Sequence, residues 1–152
     1  MKLSLVHVIA ADHERVFDAL VDPSILQRSI PGCESLVAAG PDTYDATLKV
    51  GIAGMKGTYT GHARITDTRR PDWLTLGVEG KGGPGFVRGT AAITLVDADG
   101  ATHLACTADV QVGGVIAAVG SRLIEAAARK MAADFFDALA REIGATASST
   151  RE

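Results

Sequence analysis

The chain has 152 residues, of which 47% are hydrophobic, 22% charged and 5% aromatic, with a formal net charge of −3. That length suits one domain able to bury roughly two thirds of the surface its unfolded chain exposes. The 15 basic residues form no Lys/Arg block, which excludes nucleic acid as a partner, and the apolar content excludes disorder. Cys33 and Cys106 lie outside any CxxC or spaced-His pattern, so no disulfide scaffold, metal site or cofactor is expected. Twenty-five alanines and 17 glycines fill space poorly. Such a chain either brings its backbones close together or leaves a hollow.

The first eleven residues imitate a short secretion signal, yet Leu3, Leu5, His7 and Ile9 alternate with Ser4, Val6 and Val8 as in a strand. Asp12 is placed to cap a short helix carrying Val16, Phe17 and Leu20, which stops at Asp22-Pro23. A second short turn runs from Ser24 to Ser29 and ends at Ile30-Pro31-Gly32. The period then becomes two: Tyr44 to Ile52, Gly57 to Ile65, Leu74 to Glu79, Val87 to Leu95 and Leu104 to Gln111 each show one apolar and one polar face. That pattern predicts an antiparallel sheet solvated on one side. Gly40-Pro41-Asp42, Arg70-Pro71-Asp72, the glycines around Pro84 and Asp97 to Gly100 mark the turns. From Gly114 to about Ile143 apolar residues recur every three or four positions, which predicts one long helix. No run is long enough to span a bilayer, and the expected compartment is the cytoplasm.

The order of elements implies an α+β fold in which a curved antiparallel sheet of about seven strands wraps the C-terminal helix, with two short helices after the first strand. Gly57, Gly61, Ala63, Gly80, Gly89, Ala91 and Ala108 fall on the inward register, facing Ala117, Gly120 and Ala127 of the helix. Bulky Phe17, Leu20, Phe135 and Leu139 stand at the ends. This arrangement predicts an apolar cavity on the order of 300–1,000 Å³. Inward polar groups are few, namely His7, Tyr44, Tyr59 and Cys106: His7 reads as a hydrogen-bonded core or rim residue, Cys106 as a buried small hydrophobe, and Tyr59 either as a cavity hydroxyl or as an edge residue. Cys33, in a loop, is the more reactive thiol of the two. No nucleophile–base arrangement or pair of inward carboxylates is visible, so no catalytic residue is assigned.

Two stretches carry a family resemblance. Asp22-Pro23 through Ile30-Pro31-Gly32-Cys33 to Leu36, and Gly113-Gly114 through Gly120-Ser121-Arg122-Leu123-Ile124 with Lys130-Met131-Ala132 and Phe135-Phe136, resemble the G-subunit family of carbon monoxide dehydrogenase. The resemblance spans about residues 1–143. It implies a START-like (SRPBCC) helix-grip domain, taken as 1–145, followed by a frayed tail at 146–152. It also implies an accessory role beside a molybdenum hydroxylase, with the enzyme linked to the membrane by peripheral or transient contact at its inner face. The Pro31-Gly32 and Pro84-Gly85 loops then lie at the cavity mouth, with Met55 and Phe86 as gates and Arg122 paired at the rim. The expected cavity lining is Ile30, Met55, Tyr59, Leu76, Val78, Phe86, Ile116, Val119, Leu123, Ala127 and Met131. The leading expectation is a non-catalytic carrier of a lipophilic small molecule such as an isoprenoid quinone. Two alternatives stand beside it: an adaptor that docks the hydroxylase through its outer surface, and a START-like cyclase or hydrolase using Tyr59 or His7 as acid or base.

Overall fold

A computed structural model describes residues 1–150. Strand β1 (Lys2–Ile9) leads into helices α1 (His13–Val21) and α2 (Pro23–Ser29). Six strands follow: β2 (Cys33–Ala38), β3 (Thr43–Ile52), β4 (Met55–Arg69), β5 (Trp73–Gly82), β6 (Gly85–Ala98) and β7 (Ala101–Gly113). A 3₁₀ turn (Val115–Val119), helix α3 (Ser121–Glu142) and strand β8 (Ala147–Thr150) complete the chain. The eight strands form one antiparallel sheet in the order β2-β3-β4-β5-β6-β7-β1-β8. The α+β helix-grip architecture read from the sequence is the one observed.

Local chemistry explains the element ends. The Asp12 carboxylate accepts from the Arg15 amide at 3.2 Å and caps α1. Asp22 closes α1 and opens α2, accepting from the Ser24 amide at 2.9 Å and the Ser24 hydroxyl at 2.8 Å; that hydroxyl holds its carboxyl below the usual range. In the β3–β4 hairpin Ala53 and Gly54 both adopt positive φ, the geometry of a two-residue primed turn. The sheet edges are covered by side chains from the helices. Gln27 donates to the Glu34 carbonyl and accepts from the Leu36 amide on β2, both at 3.3 Å, while Arg129 donates to the Ser4 carbonyl of β1 at 3.1 Å.

Two expectations need correction. The predicted continuous helix from Gly114 to Ile143 is broken at Gly120, whose φ of 95° is non-helical, into the 3₁₀ turn and a 22-residue α3 about 33 Å long. The tail expected to fray instead supplies β8, whose Ala147–Thr150 pair with Val6–Ile9, which raises the strand count from about seven to eight. Arg151 and Glu152 lie outside the described residues.

The core sits at one end. Ile9, Val16, Phe17, Leu20, Leu74, Leu95, Leu104, Phe136, Leu139 and Ala140 are buried together there. Arg28 pairs with Glu142, and Arg15 donates to the Ile143 carbonyl, which ties both short helices to the end of α3. In α3 the fully buried residues are Phe136, Leu139 and Ala140, all in its C-terminal part. The helix leans on α2, β1 and β8 there, while its first turns are exposed or half-buried.

Candidate functional site

Strand register divides the sheet into rows. Across the inner face one row runs Val110–Gly89–Val78–Ala63–Tyr44 and the next runs Ala108–Ala91–Leu76–Ile65. Every residue in these rows is half-buried, as are Leu48, Val50, Gly61, Gly80, Val87 and Val112. An inner face clamped by a helix would be fully buried. Here the apolar middle of the sheet keeps accessible surface, and outside the core cluster the buried apolar positions include Leu3, Leu36, Tyr59 and Ile116. The small residues account for that accessible surface: seven Gly or Ala positions leave the concave face low.

Two loops frame the other end. Ile30-Pro31-Gly32-Cys33 forms a tight turn in which the Cys33 amide donates to the Ile30 carbonyl at 3.2 Å and Gly32 takes φ 70°. Gly32 also lies against β3, its carbonyl accepting from the Lys49 amide at 2.8 Å; a Cβ there would overlap the Lys49 carbonyl and a Val50 methyl. The β5–β6 turn is fastened to the 3₁₀ turn, because the Pro84 carbonyl accepts from the Ile116 amide at 2.9 Å. Pro84 lies over the inner position Gly57.

The expected lining residues separate on this frame. Leu76 and Val78 lie half-buried in the inner rows, and Ile30, Met55, Val119, Ala127 and Met131 are half-buried on the surrounding elements. Ile116 is fully buried as the anchor of the 3₁₀ turn. Tyr59 is buried against Gly82, and its hydroxyl donates to the Met55 carbonyl at 3.1 Å, so it is engaged by backbone rather than free in a cavity. Phe86 borders two depressions, one over the outer face and one with Val110, Val112, Ala117 and Ile124 beside the start of α3. Its neighbour Val87 takes the inward position, leaving Phe86 38% exposed on the outer face beneath the Arg88 guanidinium at 5.3 Å. Leu123 is 57% exposed at the rim, and Ala117 and Gly120 are exposed as well. One position on, Ile124 is the half-buried residue; the parity of the strand and the spacing of the helix both carry the signal that picks Val87 and Ile124 instead.

The polar groups resolve similarly. The Tyr44 hydroxyl donates to the Val21 carbonyl at 2.8 Å. Burial raises the pKa of Tyr44, Tyr59 and Cys106. Burial also raises that of Cys33, whose Sγ donates to the Ser35 carbonyl at 3.3 Å, so the expected reactive thiol is held protonated. Arg122 has no ion-pair partner among the described residues, contrary to the expected rim pair. His7 is buried against Phe136 with no hydrogen-bond partner among the described residues, in place of the expected bonded core histidine.

A depression unforeseen from sequence lies on the opposite side. It measures about 590 Å³, crosses the outer face of β2 to β6, and is bordered by Val37, Asp45, Thr47, Thr60, His62, Glu79, Lys81, Phe86 and Arg88. Of the eleven expected lining residues only Phe86 borders it. A charged row crosses it: Asp45, His62, Glu79 and Arg88 are successive cross-strand neighbours, with His62 Nδ1 2.6 Å from the Asp45 carboxylate. Among the described residues no three metal-ligating side chains converge, and no helix is long and apolar enough to cross a membrane.

Known structures share this architecture. A conserved protein from Geobacillus kaustophilus is 37% identical, with a TM-score of 0.87 over 95% of this chain and 99% of that one. A START superfamily protein from Mycobacterium smegmatis (14% identical, TM-score 0.70, 94% of this chain and 97% of that one) shares the fold. So does the Zhui aromatase/cyclase from Streptomyces sp. R1128 (17% identical, TM-score 0.69, 95% and 93%). No curated protein matches the chain. The Ile30–Cys33 turn and the Gly113–Ile124 segment, which frame the open end of the sheet, both fall inside the span 7–144 that matches a single family model, and on that match the chain belongs to the carbon monoxide dehydrogenase G-subunit (CoxG) family.

Proposed function

We propose that the chain is a non-catalytic carrier that takes a neutral lipophile, an isoprenoid quinone in the favoured case, against the inner face of its sheet and links a carbon monoxide dehydrogenase-type molybdenum hydroxylase to the membrane. The observation that carries this reading is the half-buried apolar inner face, low with small residues, beside a fully packed core end. Covering ~300 Å² of apolar ligand at ~25 cal/mol/Å² is worth about 7 kcal/mol, whereas one hydrogen bond adds about 1. A surface whose tyrosine hydroxyls are already engaged therefore favours holding a greasy molecule over orienting a reactive one. That same engagement of Tyr59 counts against the cyclase or hydrolase alternative.

The rim supports membrane contact. Val115, on the 3₁₀ turn, and Leu123, in the first turn of α3, are both more than half exposed. Segments 46–61, 80–96 and 110–124, which build this end, carry Lys49, Lys56, Lys81, Arg88 and Arg122 and no carboxylate. Exposed apolar side chains beside Lys56, Lys81 and Arg122, which form no ion pair among the described residues, suit a transient approach to an anionic lipid surface at the inner face of the cytoplasmic membrane.

The adaptor reading draws on the outer depression, where exposed Val37 and Phe86 border the charged row. Native mass spectrometry of the protein purified from its own host, with lipid extraction, separates the two. A co-purifying quinone or other lipophile supports the carrier. Its repeated absence, together with hydroxylase pull-down that is lost in Phe86→Asp and kept in a variant filling the inner face, supports the adaptor instead.

A further inference from the structure

We propose that His7 is the polar anchor of the inner site, holding a carbonyl or hydroxyl oxygen of the lipophile so that the ligand enters head-first toward the packed core. The proposal rests on the carrier reading above and adds to it the chemical class of the head group.

His7 occupies the inner register of β1, level with Leu104 of β7 and Leu95 of β6, at the border of the core. The adjoining row toward the open end, Leu5–Cys106–Ile93, is half-buried. The imidazole is thus the first polar group met at the deep end of the apolar face. It is 3% exposed, with its ring centroid 4.5 Å from that of Phe136. Neither ring nitrogen has a hydrogen-bond partner among the described residues. The completely sealed side-chain atoms that lack a partner are His13 Nδ1 and Ser29 Oγ. The His7 nitrogens are therefore not sealed, and the trace of surface left on the ring includes them.

Three other polar side chains near the interior are engaged by backbone carbonyls: Tyr44 with Val21, Tyr59 with Met55, and Thr102 with Ala11 at 2.7 Å. A buried polar group left without a partner is costly, so an imidazole standing alone in this position points to a ligand atom. Burial lowers the pKa of His7 against a weaker opposing pull from Asp137, and the neutral ring presents one N–H donor and one acceptor nitrogen. The donor suits a carbonyl oxygen and the acceptor a hydroxyl. A carboxylate head is disfavoured by the nearby Asp137 charge.

The test titrates the full chain with two probes of equal tail length: decylubiquinone, which carries carbonyls, and decylbenzene, which does not. His7→Phe keeps the stacking on Phe136 and removes the hydrogen bond. It is expected to weaken decylubiquinone about five- to tenfold and leave decylbenzene unchanged. His7→Gln, which retains a donor, is expected to restore most of the loss, and the ¹⁵N shifts of the wild-type imidazole are expected to move only with decylubiquinone. If His7→Phe binds both probes as the wild type does, or loses both alike, the anchor is refuted while the carrier stands. If the wild type binds neither probe, the carrier reading falls and the anchor with it.

Discussion

Filling the inner face is the sharpest test of the site. Gly80 is half-buried in the inner register of β5, has an ordinary extended backbone, and a Cβ added there would meet the Thr60 carbonyl oxygen at 3.7 Å, a normal contact. Gly80→Ile thus projects its side chain onto the inner face without displacing backbone. Replacing a strand glycine by a β-branched residue gains up to about 1 kcal/mol, whereas forcing the same side chain into a filled core costs about 1–3 kcal/mol. At roughly 2–4 °C per kcal/mol, the expected change in Tm is between zero and a rise of a few degrees. For binding, a side chain of this size denies the ligand ~100 Å² of apolar contact, about 2.5 kcal/mol or roughly a 60-fold loss. Thermal denaturation by circular dichroism and calorimetric titration with decylubiquinone measure the two quantities. A fall in Tm of about 5 °C or more would show a solid interior and refute the argument. An unchanged Tm with undiminished affinity would place the ligand elsewhere, with the outer depression the next surface to test.

Two further expectations concern stability. Gly32→Ala puts a side chain on a residue with φ 70° and against the Lys49 carbonyl, so a loss of about 3 kcal/mol, or roughly 6–12 °C in Tm, is expected. Gly83→Ala, where a Cβ meets nothing within 4 Å, is its control, and equal melting of both variants would remove the steric account of the turn. For pH, the pKa of His7 is lowered by burial from its ordinary 6.5, so the unfolded chain takes up a proton before the folded one does. Stability is then full above about pH 7 and declines as pH falls through about 6.5, until the folded-state pKa is passed. His7→Phe should flatten that part of a stability–pH curve obtained by urea unfolding; a slope equal to that of the wild type would assign it to another group.

Much of the architecture is readable because it depends on local periodicity. The two-residue alternation of β3 to β7 and the caps at Asp12 and Asp22 follow from chemistry within a few positions. The lining is less readable. Phe86 reads as a gate from its closeness to the Pro84-Gly85 loop, yet strand alternation gives the inward parity to its neighbour Val87. Leu123 reads as lining only if the apolar stripe crosses Gly120 in one continuous helix; with the break there, Ile124 is the half-buried residue. Strand β8 gives no signal: Ala147-Ser148-Ser149-Thr150 has no apolar alternation, and its pairing depends on the open edge that β1 offers.

Composition and spacing alone therefore establish a curved antiparallel sheet, a C-terminal helix and a surplus of small residues at inward positions, since each of these is written in the side chains of neighbouring residues. Tertiary structure decides how far α3 stands from the sheet, which hydroxyls find backbone carbonyls, and which histidine is left without one. Those outcomes depend on contacts between residues far apart in the chain, such as Phe136 on His7 and Pro84 on Ile116, and no local pattern encodes a meeting of that kind.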